Sequence, residues 1–323
     1  MTQVDVRPHG EKHSHPLAIG GELVAVAAWG ATAGWSRYSH ASGFAFAFWR
    51  LGFGAALSYV ALRLTKRKLT IAQLRLSIPG GLIFAAHLAL FFTCIRHTTV
   101  ANVTVIESLS PVLILPFARK FFGEAAGARE WSLALVAVAG VSVAVLATAQ
   151  SGMSSTFGIV LSAFNLVSWT TYFMVGKKAR RHLDAMTFMA GLMIVALIAF
   201  TPVALAAGHV LDTRRRDWLW FALVAIVPGM IGHGMINWAH KFVPVSVSAV
   251  MALGVPVVAA VVAWPEFGER ITLVQGFGMA AVIGALAVMA VIEARRETVA
   301  AEGPGVEQLV LVDLAAATER ATP

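Results

Sequence analysis

The sequence is poor in charged residues, which occupy only 13% of its 323 positions. An ordinary soluble domain carries about 25% charged residues. Here 58% of the residues are hydrophobic and the mean hydropathy is +0.75. This composition excludes a typical soluble domain and indicates a protein embedded in a lipid bilayer.

Cysteine is nearly absent: the chain contains one, Cys94. One cysteine forms neither an intramolecular disulfide nor a multi-thiolate metal site. The sequence also lacks a GxxxxGK[ST] phosphate loop, an HExxH zinc motif and a GxSxG nucleophile motif. We therefore predict no ATP use, no enzyme activity, no cofactor and no bound metal, and an intramembrane enzyme remains only a minor alternative.

The chain instead contains long apolar runs along almost its whole length. Crossing the hydrocarbon layer takes about 20 mostly apolar residues, and ten segments have this character. They are residues 17–35, 43–62, 77–95, 100–118, 131–149, 157–176, 186–207, 218–238, 245–264 and 274–292. The sequence therefore predicts an all-α integral membrane protein with ten transmembrane helices.

Lysine and arginine are concentrated on one side of this predicted topology. They cluster in the loops at 63–68, 119–129 and 177–181, and the opposite loops hold few cations apart from the run at 214–216. Because cytoplasmic loops are enriched in these residues, we expect both termini in the cytoplasm and the chain in the inner (plasma) membrane. The net charge of +8 does not indicate nucleic-acid binding, because no basic stripe is interleaved with aromatic residues.

The two halves of the sequence are related. A shift of 145 positions brings PV at 111–112 onto PV at 256–257, and FGE at 122–124 onto FGE at 267–269. Each unit would hold five spans, an odd number, so the second unit enters the membrane from the opposite side. We therefore predict two inverted five-helix repeats, an arrangement that many secondary transporters use.

This organisation defines four segments of the chain. A cytoplasmic tail at 1–16 precedes the first repeat at 17–149. The second repeat follows at 157–292, and a cytoplasmic tail at 293–323, rich in Ala, Glu and Thr, is expected to be disordered.

The duplicated stretches resemble a known family. ANVTVIESLSPVLILPFARKFFGE and its counterpart SVSAVMALGVPVVAAVVAWPEFGERITLVQ are similar to the EamA domain of the drug/metabolite transporter superfamily, as are WG at 29–30 and WRLGFGAAL at 49–57. The resemblance covers about residues 17 to 292. It implies a ten-helix carrier for small metabolites or drugs, with a cavity lined mainly by the first, third, fourth, sixth, eighth and ninth helices. It favours export, and it implies no particular substrate.

One acidic residue, Glu107, lies in the middle of the fourth span, in TVIESLSPVLIL. A charge near the bilayer centre costs about 2.5–3.5 kcal/mol, so Glu107 should face the bundle interior or a water-filled cavity. Helical spacing places Thr104, Ser110 and Pro111 on the same stripe. Pro111 has no N–H group, so the carbonyl of Glu107 loses its usual partner and the helix is weakened there.

The 145-residue shift carries Pro111 onto Pro256 but Glu107 onto Ala252. The helix break is therefore duplicated and the charge is not. This asymmetry favours a specific role for Glu107 in binding solute or coupling protons to transport. A structural hydrogen bond inside the bundle is the competing interpretation.

Polar and aromatic residues on three other spans complete the candidate binding set. The 145-residue shift places His87 beside His233, so the two histidines are expected near symmetry-related positions. Histidine can also bond a neighbouring helix, asparagine can join helices, and the aromatic residues can serve packing or an interfacial belt. The candidates are His87 in the third span, Asn165, Trp169 and Tyr172 in the sixth, and His233 and Asn237 in the eighth, with Pro228 as a kink.

Two further charges lie inside spans. Arg50 matches an arginine of the resembling family's second helix, which is peripheral to the cavity, and we interpret it as a structural pair or a snorkelling side chain. Glu22, near the start of the first span, is either a gate residue or, more simply, an interfacial carboxylate.

The leading hypothesis is a secondary carrier that moves a small, amphipathic solute by alternating access, with proton coupling through Glu107. The runner-up is an uncoupled facilitator in which Glu107 only binds solute. A non-transporting sensor or assembly partner is the third hypothesis. The sequence indicates the lipid bilayer and a small solute as partners, and it identifies neither the substrate nor the oligomeric state.

Overall fold

The computed structural model describes residues 14–98, 103, 106–124, 126–146, 155–267 and 271–302. In these ranges the chain forms helices joined by turns and loops. The first seven are α1 (Ser14–Arg37), α2 (Gly43–Leu64), α3 (Ile71–His97), α4 (Ser110–Phe122), α5 (Ala128–Leu146), α6 (Thr156–Ala179) and α7 (Ala185–Ala207). The last three are α8 (Asp217–Ala239), α9 (segments Val245–Met251, Ala252–Gly254 and Val255–Phe267) and α10 (Leu273–Glu302).

Eight of the described helices are long and apolar enough to cross a membrane, and α1 contains the shorter apolar stretch Pro16–Thr32. The predicted fourth span, 100–118, lies partly outside the described residues; its described part consists of residue 103, residues 106–109 and most of the 13-residue helix α4. The all-helical membrane fold is therefore confirmed, whereas the described residues do not establish ten spans. The helix α10 continues to Glu302, so the start of the predicted disordered tail is helical.

The helices pack as two connected groups around separate apolar cores. α3 packs against α6 and α7, α2 packs against α7, and α1 lies against α8 and α9. Large aromatic side chains such as Phe84, Phe173 and Phe188 fill the core of this group. The helices α5 and α10 form a second pair, whose core includes Val141 and Val282.

Capping residues fix where several helices begin. At the start of α3, the Thr70 hydroxyl accepts the N–H of Gln73, and the Gln73 side chain accepts the N–H of Thr70. Thr272 and Gln275 make the same reciprocal bonds at the start of α10. This capping box satisfies N–H groups that have no partner within the helix.

The helices α4 and α9 are irregular at corresponding positions. α4 begins at Ser110, after a turn at 108–109, and carries Pro111 in its first turn. In α9 a 3-10 turn at Ala252–Gly254 precedes the final segment Val255–Phe267. Val255 and Phe267 lie 145 positions after the first and last residues of α4. The missing N–H of proline accounts for a break at each place.

The helix α8 is irregular as well. Its central part, Ala225–Gly232, is a π-helix that contains Pro228. A π segment widens the turn and frequently marks a functional site. The sequence predicts a kink at Pro228, and the structure resolves this kink as a π segment eight residues long.

Close contact between α1 and α9 depends on a glycine, Gly30, which has no side chain. A Cβ atom added to Gly30 would lie 2.5 Å from Cβ of Val258 and 3.1 Å from the backbone nitrogen of Ala259. Glycine therefore lets these two helices approach each other near the centre of the bundle. This agrees with the small-residue contacts that are common between membrane helices.

Candidate functional site

Glu107 lies at the break before α4 and meets a side chain of α6. The amide Nδ2 of Asn165 donates a hydrogen bond to Oε1 of Glu107 at 2.5 Å. Asn165 is fully buried, and Glu107 is only partly buried. Among the described residues no cationic side chain is recorded as pairing with Glu107. The carboxyl group is therefore held by a neutral donor, at a place where the helix backbone is interrupted.

A group of aromatic rings continues from this pair towards α8. The ring of Trp169 lies 5.0 Å from the ring of His87 and 5.2 Å from the ring of Trp29. Trp29 in turn lies 5.0 Å from His233, and its Nε1 donates to the carbonyl of Pro228 at 3.2 Å. These rings therefore bring α1, α3, α6 and α8 together around one centre.

Hydrogen bonds connect the three predicted polar residues at the other end of the site. The Tyr172 hydroxyl lies 3.1 Å from Nδ1 of His233. Nδ2 of Asn237 donates to that hydroxyl at 2.8 Å and to the His233 carbonyl at 2.7 Å. All three side chains are buried. The arrangement fixes the His233 ring, because both the ring and the backbone of this residue take part.

Arg50 belongs to the same group, which corrects its interpretation as a snorkelling side chain. Its side chain is only 7% exposed, and Nη2 lies 3.5 Å from Nε2 of His233. The guanidinium also lies over the Phe84 ring, 5.8 Å from its centroid. In the described part of the chain no carboxylate is recorded as an ion-pair partner of Arg50. The cation therefore lies inside the bundle, where its neighbours are an imidazole and an aromatic face.

Several buried polar atoms of this group have no hydrogen-bond partner among the described residues. Buried polar groups are nearly always bonded, so each exception requires an explanation. The atoms are Nε of Arg50, Nδ1 of His87, Oδ1 of Asn165 and Oδ1 of Asn237.

Glu22 does not lie on the outer surface of the bundle, because its side chain is fully buried. Its Oε1 accepts a 2.5 Å hydrogen bond from the hydroxyl of Ser248 in α9. Lys177 is close enough to act on it electrostatically. The hydroxyl of Ser248 therefore holds the Glu22 carboxyl between α1 and α9, inside the helix bundle.

The structure brings most of the predicted residues together. Glu107, Asn165, His87, Trp169, Tyr172, His233 and Asn237 form a continuous series of contacts. Ser110 is buried as the first residue of α4, and Pro256 lies in the matching segment of α9. Thr104 lies outside the described residues.

Sequence reasoning missed Trp29 and Met189 as members of this site. Trp29 touches His233, Trp169 and the Pro228 carbonyl, and Sδ of Met189 accepts from Asn237 at 3.3 Å. The sequence did contain a signal for Trp29, because this residue stands beside Gly30 in an apolar run. Met189 gave none, because methionine is common in apolar helices.

The geometry suits solute binding and conformational change better than catalysis of a covalent reaction. The site offers one carboxyl group, one guanidinium, two histidines and stacked aromatic faces, next to breaks in α4, α8 and α9. No group of three or more His, Cys, Asp or Glu able to hold a metal occurs within the described ranges. Unwound helices with buried polar groups are typical of transporter binding sites.

Comparisons with known proteins agree with one another and indicate a family of transporters. A model of the EamA-like transporter family matches residues 17–146 and again residues 156–291. A protein of Archaeoglobus fulgidus described as an uncharacterized transporter is 24% identical over 200 residues, which cover 62% of this chain and 70% of the relative. The pseudopaline exporter CntI of Pseudomonas aeruginosa is 22% identical over 203 residues, which cover 63% of this chain and 70% of the exporter.

The fold is also shared with a solved crystal structure at 18% sequence identity. The two superpose with a TM-score of 0.75 over 86% of this chain and 99% of the other. At this identity the likeness concerns the fold alone.

Proposed function

This chain belongs to the EamA-like transporter family and is a multi-pass membrane transporter of small solutes, and we propose that it is a secondary carrier that works by alternating access. Its solute is small and amphipathic, because the candidate site combines aromatic faces with a few polar groups. Two inverted repeats, 17–149 and 157–292, rock against each other around this site. Both termini lie in the cytoplasm and the membrane is the inner (plasma) membrane, which the loop cations support.

The observation that carries the proposal is the contact between Glu107 and Asn165. A carboxyl group at a helix break, bonded to a neutral amide, exchanges protons or solute without first breaking an ion pair. An ionisable residue inside a membrane-spanning segment is costly, and its default interpretation is a functional one. We therefore assign Glu107 as the group that couples proton movement to solute movement.

Export is the proposed direction of transport. The support comes from family resemblance and from one relative, the pseudopaline exporter, which moves its solute outwards as its name states. The uncoupled facilitator is the second candidate, and the neutral partner of Glu107 is compatible with it. Membership of a transporter family argues against the sensor and enzyme hypotheses.

The experiment is solute and proton flux in liposomes that contain the purified full-length protein. Amphipathic solutes are added under an imposed pH gradient, and internal pH is followed with a trapped dye. The native protein should move protons when a solute is transported. Glu107→Gln, which keeps the size of the side chain and removes its charge, should abolish the proton signal.

A matched variant controls for the loss of one carboxyl group. Asp212→Asn changes an exposed acid that pairs only with His209 across a surface loop, so its flux should equal that of the native protein. Solute flux that persists in Glu107→Gln and in the native protein without any proton signal would replace the coupled mechanism with facilitated diffusion. No flux of any solute with the native protein would argue against transport itself.

A further inference from the structure

The start of α9 is held by charged side chains from two other parts of the bundle. Nζ of Lys177 in α6 donates to the carbonyl of Val243 at 2.6 Å. Oε2 of Glu124, which follows α4, accepts the N–H of Val245 at 2.8 Å. Lys177 and Glu124 also pair with each other at 2.7 Å. We call these four contacting residues the inner latch, because they lie on the side that the loop cations predict to face the cytoplasm.

A second carboxyl group, that of Glu22 in α1, reaches the same part of α9. Its Oε1 accepts the hydroxyl of Ser248, which lies three residues after Val245 in the first segment of α9. Its other oxygen, Oε2, is buried and has no hydrogen-bond partner among the described residues. Lys177 acts on this carboxyl electrostatically. One ammonium group is therefore close to two carboxyl groups, and it is bonded to only one of them.

No other negative charge is recorded around Glu22 and Lys177 in the part of the chain that the structure describes. An ammonium group carries a single positive charge, so Lys177 neutralises one carboxylate at a time. The remaining neighbours are uncharged or able to carry a positive charge. They are Trp238 and Met235 of α8, which lie against Gly21, Leu286 of α10 in the adjoining core, and Arg181 and His240 near Lys177.

We propose that Glu22 and Glu124 compete for Lys177, and that this exchange opens and closes the inner end of the transporter. In this structure Lys177 is bonded to Glu124, and the inner latch is closed. When Lys177 moves to Glu22, the carbonyl of Val243 and the N–H of Val245 lose their side-chain partners. Glu22 is therefore a positioning residue that acts through Lys177, and this inference rests on the proposed alternating access.

The proton on Glu22 selects between the two arrangements. Burying an unpaired charge is costly, so Glu22 keeps its proton while Lys177 is bonded to Glu124. Loss of that proton to the cytoplasmic solution creates a buried anion, which Lys177 neutralises by leaving Glu124. The side chain of Glu124 is 19% exposed, whereas that of Glu22 is fully buried. Water therefore solvates Glu124 when the latch opens, and a higher pH favours the open form.

The test is hydrogen–deuterium exchange of the full-length protein in lipid nanodiscs, read by mass spectrometry on peptides that contain Val245. Protection of this N–H, corrected for the intrinsic effect of pH on exchange, reports the closed latch. As the pH rises from about 6 to about 9, native protection should fall by up to about 10-fold per pH unit, because opening releases one proton. The N–H groups of His40 and Arg214, which bond Asp217, should keep constant protection.

Four variants separate the role of the proton from that of the side chain. Glu22→Gln keeps the size of the side chain but cannot ionise, so Val245 should stay protected at every pH and most of the solute flux should be lost. Glu22→Asp, which keeps the acid, should retain the pH-dependent loss of protection. Lys177→Met should lose protection at every pH. Asp212→Asn, the exposed-acid control, should behave as the native protein does.

Three results would overturn the proposal. Native protection of Val245 that does not change with pH would exclude the exchange, and this measurement stands even if Glu22→Gln fails to fold. A pH-dependent loss in Glu22→Gln equal to that of the native protein would exclude Glu22 as the titrating group. Native protection in Lys177→Met would mean that Lys177 does not hold the latch. Because the exchange measurement needs no solute, its outcome is independent of the flux experiment that tests transport.

Discussion

Lys177 of α6 lies 2.7 Å from Glu124, which follows the end of α4. The two side chains also hold the connection between α8 and α9. Nζ of Lys177 donates to the carbonyl of Val243 at 2.6 Å, and Oε2 of Glu124 accepts the N–H of Val245 at 2.8 Å. One ion pair therefore joins three segments at the same end of the bundle.

Removing either member of this pair should destabilise the protein. The two side chains are 12% and 19% exposed, so Lys177→Met leaves a mostly buried carboxylate without its cation. We expect a loss of about 1–3 kcal/mol for Lys177→Met and for Glu124→Gln. The double variant should lose less than the sum of the two, which thermal unfolding in detergent will measure as a double-mutant cycle.

The ion pair between Arg67 and Asp184 supplies the control for this cycle. Its side chains are 52% and 43% exposed, so Arg67→Gln should cost under about 1 kcal/mol. Equal losses of stability for Arg67→Gln and Lys177→Met would contradict the expectation that a buried ion pair costs more to break than an exposed one.

Tyr172→Phe should weaken the polar end of the candidate site. The change removes the hydroxyl that accepts from Asn237 and lies 3.1 Å from His233, so buried polar groups lose a partner. We expect a loss of about 1–3 kcal/mol in stability together with reduced solute flux. Thr171→Val on the neighbouring position removes a hydroxyl that bonds only the carbonyl of Val167, and flux should remain normal. Native flux in Tyr172→Phe would remove this residue from the site.

Gly30→Ala should separate α1 from α9. The new methyl group would clash with Val258 and approach the backbone of Ala259, and overpacking of this kind costs about 1–3 kcal/mol. Gly20→Ala in the same helix meets no atom within 4 Å and should leave the thermal midpoint unchanged or slightly higher. Val258→Ala should restore part of the stability lost in Gly30→Ala, and failure to do so would argue against this contact as the cause.

The sequence predicts the membrane fold well because apolar length is a direct signal. The breaks at Pro111 and Pro256 are also predictable, since proline removes a backbone donor wherever it lies in a helix. The π-helix around Pro228 is less predictable, because a kink takes several forms and neighbouring helices select among them.

The sequence could predict which residues are candidates for the site, but it could not predict which of them contact each other. Glu107 and Asn165 are each conspicuous as polar residues in apolar spans, but helical periodicity gives no information about which helices meet. Arg50 shows the limit most clearly, because the same sequence suits a side chain that reaches the membrane surface and one that turns inwards to His233.

The contact between Glu107 and Asn165 joins the two stretches that the family model matches separately. Neither stretch alone therefore contains both members of this contact. A substitution at either position leaves the other side chain without this partner, although 58 residues separate them in the chain. Two stretches that match the same family model are thus connected by one side-chain hydrogen bond, to which each contributes one partner.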